Sequence, residues 1–369
     1  MFTIQPHTKL RPSPFYDAVV GEGMVTAMPY NRMILPTSYG RPDEEYWRII
    51  NGVSMWDVGC ERQVELKGPD AGRLAQILCP RNLENCAVGQ GKYVALCNHD
   101  GYLLNDPILL KVADDCYWLS IADSNIWYWA RAIASERRLD VVVREPDVSP
   151  LAVQGPLADE VVASLFGDWV RDLKYFWFRE SVLDGIPVMV ARSGWSKQGG
   201  FEIYLMDGSQ GGKLWNIVKE AGQPWGIGPG APSTAERVES GLVSVGGDTD
   251  ETTNPFEVRL GRFVDVDVPD DVIGIAALRR FKADGSDRHQ LGVVLDDDGT
   301  PTQPGFSWQE IRYDGRRIGD MTCCVWSPRM AKNIGYGLVA SDIAAGTTVE
   351  VIRAGRPVAA TLTGLPFLK

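Results

Sequence analysis

Histidine is scarce in this chain of 369 residues, and its scarcity excludes several kinds of catalytic site. Only His7, His99 and His289 occur, and none stands near a candidate nucleophile. The seven cysteines are irregularly spaced and include no CxxC pair, so the usual pattern of zinc ligands is missing. We therefore predict no metal site, and we interpret most of the cysteines as small buried apolar side chains.

Three common sequence motifs are also missing, and each absence disfavours a class of enzyme. No GxGxxG segment follows a predicted strand, so a dinucleotide-binding fold is not indicated. Residues 89–92 (GQGK) lack the spacer and the Ser or Thr of a P-loop, and no GxSxG motif occurs. Dehydrogenase, kinase and hydrolase functions therefore lose support.

Basic residues are outnumbered, because 37 Lys and Arg stand against 48 Asp and Glu and give a net charge of −11. Phosphate-rich partners need a basic surface, so we expect neither nucleic acid nor an anionic membrane as a partner. No run reaches the ~18 apolar residues of a membrane span. Residues 1–6 (MFTIQP) also lack the basic and apolar parts of a signal peptide. We expect a cytoplasmic protein.

The order of predicted elements indicates an α+β fold followed by an all-β part. Hydrophobic residues make up 44% and charged residues 23%, as in ordinary globular proteins, and the length suits two or three domains. Helices and strands alternate up to about residue 270, and short strands separated by turns follow. This last part is typical of a small β-barrel or sandwich. Residues 233–245 are predicted to form a helix capped by Ser233.

A glycine-rich segment between two predicted strands is the first candidate site. Residues 194–200 (GWSKQGG) allow the backbone to approach a ligand closely. Glu202 opens the next strand beside Phe201 and Tyr204, and a carboxylate among aromatic rings suits a flat heterocycle rich in N–H groups. A tight hairpin with an exposed glutamate is the alternative interpretation.

Two further features carry acidic groups. Asp106 directly precedes an apolar strand, where it forms either an Asx turn or a carboxylate that faces a cavity and handles a proton. Glu236 and Glu239 share one face of the predicted helix, and Arg237 points elsewhere. Each pattern by itself is also typical of a solvated turn or helix face.

Taken in order, the motifs resemble the folate-dependent aminomethyltransferase family, which includes the T-protein of the glycine cleavage system. The resemblance covers nearly the whole chain and is carried by residues 57–58 (DV), 66–71 (LKGPDA), 101–106 (GYLLND), 151–156 (LAVQGP), 194–204 and 237–241 (RVESG). It implies three domains with ferredoxin-like α+β units and folate in a central channel. We place these domains at 1–140 (α+β, folate-binding), 141–270 (α+β, completing the site) and 271–369 (barrel-like).

Within that family the chain is most similar to the branch that demethylates dimethylsulfoniopropionate. The segments are 33–37 (MILPT), 105–107 (NDP), 193–200 (SGWSKQGG) and 254–257 (NPFE). The implied reaction moves a methyl from this sulfonium to N5 of tetrahydrofolate, giving 3-methylthiopropionate and 5-methyltetrahydrofolate. Three departures lie near the expected cavity wall: Arg32 in place of His, residues 244–248 (SVGGD), and Val258-Arg259 in place of Cys-Gly.

The resemblance also implies roles for individual residues around the cofactor. Glu202 is expected to bind the amino and ring N–H groups of the pterin, with Arg237 nearby. Tyr102 and Trp195 complete the expected cofactor site. Asp106 is expected beside N5 of the folate, where it orients the ring or takes the proton that N5 loses.

The sulfonium donor needs a different environment. Its charge disappears during transfer, so aromatic faces such as those of Trp195 and Tyr204 suit it better than a carboxylate. Its own carboxylate needs a donor, and Lys197, Arg32 and backbone amides of the glycine-rich segment all qualify.

Two other functions stay open at this point. One is a folate-dependent methyl or aminomethyl transferase that uses an amine, betaine or methoxy donor. The other is a folate-binding module without catalysis, which the presence of both Asp106 and Glu202 disfavours. The sequence does not determine the oligomeric state, and it is compatible with a homodimer.

Overall fold

The computed structural model of the protein describes residues 7–302, 305 and 307–368. Residues 1–6, on which the signal-peptide expectation rests, lie outside this part. The chain divides into two compact units. The first unit comprises Met1–Ala75, Asn85–Lys92 and Pro107–Pro232, and the second comprises Gln76–Glu84, Tyr93–Asp106 and Ser233–Lys369. The three domain boundaries drawn from the sequence stay a prediction.

Helices and strands alternate through most of the chain, as expected for an α+β protein. The strands are β1 (Thr26–Tyr30), β2 (Met33–Ser38), β3 (Ser54–Asp57), β4 (Gln63–Lys67), β5 (Gly91–Tyr93), β6 (Leu96–Cys97), β7 (Leu103–Asn105), β8 (Ile108–Ala113), β9 (Cys116–Ser120), β10 (Val142–Arg144), β11 (Ser149–Gln154), β12 (Phe178–Leu183), β13 (Ile186–Ala191), β14 (Gly200–Leu205), β15 (Gly228–Gly230), β16 (Arg288–Leu295), β17 (Gln309–Tyr313), β18 (Arg316–Ser327), β19 (Lys332–Ala340), β20 (Thr348–Arg353) and β21 (Arg356–Thr363). The α-helices are α1 (Tyr16–Gly21), α2 (Pro42–Asn51), α3 (Ala71–Leu78), α4 (Ile126–Glu136), α5 (Ala158–Phe166), α6 (Gly211–Gly222), α7 (Thr234–Glu239) and α8 (Ile275–Asp284). Short 3-10 turns occur at Asp168–Val170, Gly208–Gln210, Gln223–Trp225 and Gly261–Phe263.

A six-stranded sheet in the order β12-β13-β14-β11-β3-β15 forms the centre of the first unit. Alternate side chains of a strand point to opposite faces, so each strand of this sheet supplies two different surfaces. In β14, Phe201, Ile203 and Leu205 join the core beneath helices α5 and α6. Glu202 and Tyr204 therefore lie on the other face of the sheet.

That second face of the six-stranded sheet packs in part against a five-stranded sheet, β10-β4-β9-β8-β5. Leu110 and Trp118 from the five-stranded sheet share a buried cluster with Met189 and Tyr204 from the six-stranded sheet. The cluster excludes water from one end of the face. Polar side chains that enter the same face are consequently partnered by other protein groups.

The second unit contains a closed barrel in the strand order β16-β19-β18-β17-β20-β21, in which β21 pairs back with β16. This confirms the β-rich ending predicted from the sequence and selects the barrel over the sandwich. Its interior is lined by apolar side chains such as Val293, Ile311 and Val351, none of which is exposed. Closure leaves the sheet without a free edge.

The helix predicted at residues 233–245 is shorter in the structure, where α7 covers Thr234–Glu239. Its start is correct, because the Ser233 hydroxyl accepts a hydrogen bond from the Glu236 amide at 3.3 Å. Gly241 (φ +75°) then ends it: its amide donates to the Val238 carbonyl at 3.2 Å and the Leu242 amide donates to the Arg237 carbonyl at 2.8 Å. These are the two hydrogen bonds of a Schellman motif, a stop that the prediction overlooked.

Three other sequence expectations meet the structure directly. Six of the cysteines are buried and Cys323 is partly buried, which confirms their apolar role. In the described part of the chain, no helix is long and apolar enough to cross a membrane. No group of three or more His, Cys, Asp or Glu side chains there is arranged to hold a metal ion.

The barrel depends on a close approach of two strands at Gly335. A Cβ atom there would lie 1.8 Å from the Cys323 carbonyl oxygen, whereas a Cβ at Gly364 would meet nothing within 4 Å. We expect Gly335→Ala to lower the free energy of unfolding by about 1–3 kcal/mol, the usual cost of overpacking. Differential scanning calorimetry with Gly364→Ala as the control measures this. Equal melting of the two variants would contradict the proposed constraint.

Candidate functional site

Strand β14 places Glu202 on the inner face of the six-stranded sheet, between two alanines. Ala152 on β11 and Ala191 on β13 are its partners on the neighbouring strands. Glu202 is only 5% exposed, although a glutamate in a hairpin would normally be solvated. The structure therefore rejects the exposed-hairpin interpretation.

Both hydrogen bonds that Glu202 accepts from side chains go to the same carboxylate oxygen. The hydroxyls of Ser193 and Tyr204 both donate to Oε2, the latter at 3.1 Å. Burial raises the pKa of Glu202, and these two hydrogen bonds oppose that rise by stabilising the ionised form. Within the described part of the chain, Oε1 receives no such hydrogen bond, so it can accept donors from a ligand.

Tyr204 belongs to a chain of hydrogen bonds that ends at Glu202. Gln63 Nε2 donates to the Ser120 hydroxyl at 2.9 Å, and Ser120 in turn hydrogen-bonds the Tyr204 hydroxyl. The Tyr204 ring is fully buried in the cluster between the sheets. The hydroxyl of Tyr204 supports the Glu202 carboxylate, and its expected role as an aromatic face for the substrate stays a prediction.

Gln154 at the end of β11 holds the glycine-rich segment in place. Its Nε2 donates to the carbonyls of Ser193 and Phe201 at 3.0 and 3.3 Å, and its Oε1 accepts from the Ser196 hydroxyl at 2.8 Å. A Cβ at Gly194 (φ +148°) would lie 2.0 Å from that same Nε2. Glycine is therefore required there because the backbone must approach a buried amide closely.

The segment presents its side chains to different environments. Trp195 is partly buried and Lys197 is exposed. Tyr175 is 54% exposed, its hydroxyl lies 3.5 Å from the Gly194 carbonyl oxygen, and the Glu202 carboxylate acts on it to raise its pKa. Tyr175 therefore joins Trp195 as an aromatic group beside the glutamate.

Arg32 stands at the tip of the β1–β2 hairpin. Asn31 (φ 50°) and Arg32 (φ 61°) form its two-residue loop, and positive φ at both positions is typical of a type I′ turn. The Asn31 amide group donates to the Cys60 carbonyl at 2.9 Å, which pins the loop. The exposed Arg32 guanidinium lies 5.8 Å from the ring centroid of Tyr128.

In the second unit, Asp106 forms a short hydrogen bond with Tyr93. The Tyr93 hydroxyl donates to Asp106 Oδ2 at 2.6 Å. Burial raises the pKa of Asp106 to about 7; the Tyr93 hydrogen bond opposes this shift, and the nearby Asp248 carboxylate adds to it. A carboxyl group with such a pKa exchanges a proton readily near neutral pH.

Arg237 is committed to an internal ion pair. Its Nη1 lies 2.7 Å from Asp248 Oδ2, and both side chains are buried. The Asp248 carboxylate also accepts from the Ser244 amide at 2.8 Å. Tyr102, the other cofactor candidate of this unit, is partly buried with its ring 5.9 Å from that of Phe281.

The structure thus assembles the candidate residues in two groups. Glu202, Tyr204 and the glycine-rich segment come together in the first unit. Asp106 with Tyr93, and Arg237 with Asp248, lie in the second. Sequence reasoning did not identify Ser193, Gln154 and Tyr93 as partners of these groups. Ser193 and Gln154 lie in segments that carry the family resemblance, whereas no motif marks Tyr93.

Two family models match consecutive parts of the chain. The GCVT N-terminal domain matches residues 15–268. The glycine cleavage T-protein C-terminal barrel domain matches residues 288–369, which include the closed barrel.

Similar proteins extend over almost the full length. Dimethylsulfoniopropionate demethylase DmdA of Ruegeria pomeroyi is 41% identical over 352 residues, 95% of each chain. An aminomethyltransferase of Porphyromonas gingivalis is 30% identical, covering 98% of this chain and 100% of its own. The crystal structure of glycine cleavage system aminomethyltransferase T from Bartonella henselae has a TM-score of 0.83 at 22% identity, over 97% of this chain and 98% of that one. This last similarity concerns the fold alone.

The raised pKa of Asp106 predicts how stability depends on pH. The unfolded carboxyl titrates near about 3.9, whereas the folded one titrates at about 7. The folded state therefore binds more protons between these values, and this group's contribution to the free energy of unfolding falls as pH rises through that window.

We expect Asp106→Asn to remove this contribution, so that the variant gains stability relative to the wild type as pH increases from about 4 to 7. Urea titrations at a series of pH values measure the difference. Asp100→Asn, which alters an exposed carboxylate, is the control. Parallel wild-type and Asp106→Asn curves would show that the carboxyl titrates normally.

Proposed function

Because the chain belongs to the glycine cleavage T-protein family of folate-dependent methyl- and aminomethyltransferases, we propose that it is a tetrahydrofolate-dependent dimethylsulfoniopropionate demethylase. It transfers one methyl from the sulfonium to N5 of tetrahydrofolate and releases 3-methylthiopropionate and 5-methyltetrahydrofolate. The similarity to the Ruegeria pomeroyi demethylase along almost the entire chain carries this proposal.

The chemistry of a sulfonium donor matches the residues present. When the carbon–sulfur bond breaks, its electron pair stays on sulfur and the leaving group is a neutral thioether. Such a leaving group needs no proton, so the reaction requires no general acid. The protein's contribution is to align donor and acceptor, and orientation alone can lower the barrier by about 7–11 kcal/mol.

Glu202 fits the binding of a pterin ring. A buried carboxylate with a free Oε1 accepts N–H groups from a flat heterocycle, and the hydroxyls on Oε2 keep it oriented. Hydrogen bonds to a charged group contribute about 1.5–3 kcal/mol each. Tetrahydrofolate, once bound, supplies N5 as the nucleophile that takes the methyl.

Asp106 fits the proton transfer that accompanies the reaction. N5 gives up a proton when it gains a methyl, and a carboxylate with a pKa near 7 accepts it at neutral pH. Tyr93 occupies Oδ2, so the proton goes to Oδ1. Trp195 and Tyr175 supply aromatic faces for the cation without a fixed negative charge that would disfavour its neutralisation.

An amine or betaine donor is the second candidate. The departures at Arg32, Val245 and Val258 favour keeping it, as does the similarity to aminomethyltransferases at 30% identity. A panel of donors, each supplied with tetrahydrofolate and scored for 5-methyltetrahydrofolate, separates the two. Folate binding without transfer from any donor would instead support a non-catalytic module.

Two substitutions test the assigned roles. We expect Asp106→Asn and Glu202→Gln each to reduce turnover at least ~10²-fold, the scale for losing a positioned acid–base or binding group. The assay follows 5-methyltetrahydrofolate formed from dimethylsulfoniopropionate. Asp100→Asn and Glu180→Gln are matched controls, because both original side chains are exposed. Near-wild-type kinetics would remove the affected residue from the site.

The pH profile gives an independent prediction for Asp106. Only its ionised form accepts a proton, so kcat/KM is expected to rise with pH up to about 7 and to level off above it. The rising limb should vanish in Asp106→Asn, whose residual activity would be flat over this range. A rising limb that persists in the variant would assign the titration to another group.

A further inference from the structure

Arg259 occupies an unusual position in the second unit. Its backbone has φ +64°, in the left-handed region that favours glycine. Its partly buried side chain donates from Nε to Gln290 Oε1 at 3.1 Å and from Nη2 to the Gly241 carbonyl at 2.7 Å. Both acceptors are neutral, so the guanidinium charge is not compensated by them.

Arg237 and Arg259 differ in whether a carboxylate compensates the guanidinium charge. Arg237 contacts the Asp248 carboxylate at 2.7 Å. Across residues 7–302, 305 and 307–368, Arg259 and its neighbour Arg262 form no ion pair with any Asp or Glu. The Nε2 of Gln290 is also a buried donor without a partner there. Donors therefore outnumber acceptors around Arg259, although the whole chain carries a net charge of −11.

Both uncompensated guanidiniums lie close to the Tyr93–Asp106 pair. Arg262 stacks over the Phe263 ring at 4.8 Å, and Phe263 packs against Tyr93 at 4.7 Å between ring centroids. Arg259 and Arg262 each act electrostatically on Tyr93, whose hydroxyl holds Asp106. Burial and the nearby Arg262 charge lower the pKa of Arg259, and the Asp248 carboxylate, which is already paired with Arg237, opposes that shift.

We propose that Arg259 binds the carboxylate of the methyl donor. A guanidinium matches a carboxylate with two parallel hydrogen bonds. The donor is then a small onium carboxylate, held at its carboxylate end by Arg259. This assignment rests on the proposed function and names the part of the site that selects its substrate.

The earlier candidates for this task are less suited to it. Arg32 and Lys197 are both exposed. Water screens a charge at such positions, so an ion pair formed there contributes little to binding. A partly buried guanidinium without a counter-ion has a smaller desolvation cost when it binds a carboxylate, because much of its hydration is already lost in the folded protein.

The experiment compares the wild type with Arg259→Gln and Arg259→Gly, using Arg280→Gln as a control that removes an exposed arginine from α8. Glycine suits the positive φ, so the second variant keeps the fold if the first does not. Titration calorimetry measures the Kd of 3-methylthiopropionate, which has the carboxylate but no cation. Steady-state kinetics measure KM and kcat for dimethylsulfoniopropionate.

We expect both Arg259 variants to raise this Kd and this KM by ~10-fold or more, as for a lost charged hydrogen bond. The value of kcat should stay within about 3-fold, because the carboxylate contact is the same in the ground and transition states. Trimethylsulfonium, which lacks a carboxylate, should react equally with all forms. Unchanged Kd and KM in folded variants would overturn the proposal.

A parallel titration with tetrahydrofolate shows which carboxylate binds at Arg259, that of the methyl donor or that of the folate's glutamate. If the variants weaken tetrahydrofolate and not 3-methylthiopropionate, the arginines serve the folate's glutamate and the proposal is wrong. If the wild type transfers no methyl yet binds 3-methylthiopropionate through Arg259, the proposed function fails and the carboxylate site stands. Normal turnover with unaffected variants removes the carboxylate site alone.

Discussion

The alternation of side chains along β14 is the constraint on which the first unit depends. One strand must fill an apolar core beneath α5 and α6 and also place Glu202 on the opposite face. A carboxylate is tolerated there only because hydroxyl donors compensate its lost hydration. Ser193 and Tyr204 provide them, and Gln154 holds the adjoining glycine-rich segment against the same sheet. Core packing and site geometry are therefore coupled through a single strand.

Electrostatic balance plays the corresponding part in the second unit. Asp248 neutralises Arg237 and also raises the pKa of Asp106. Tyr93 then holds the Asp106 carboxyl by a hydrogen bond. Arg259 remains without an acidic partner in the described part of the chain. A partly buried arginine whose direct hydrogen-bond acceptors are all neutral is a place where an anionic substrate can bind, since the substrate supplies the carboxylate contact.

Much of the site could be predicted from the sequence, because local patterns mark glycine-rich loops and strands. The segment 194–200, the strand that carries Glu202 and the barrel ending all follow from such patterns. The end of α7 was also readable, since Gly241 is a usual helix stop. The support that Ser120 and Gln63 give to Glu202 through Tyr204 could not be predicted from the sequence. Those residues are distant along the chain and come together only through the packing of two sheets.

The sequence by itself determined the α+β order, the closing β part and which acidic residues are candidates for chemistry. These follow from periodicity, turn residues and short motifs, all of which act over a few neighbouring residues. Only the tertiary structure decided that Glu202 is buried and that Tyr204 supports it. It also decided that Arg237 pairs with Asp248, whereas Arg259 contacts no carboxylate among the described residues. Burial and ion pairing depend on residues brought together from far along the chain, and it is burial that raises the pKa of Asp106 to about 7.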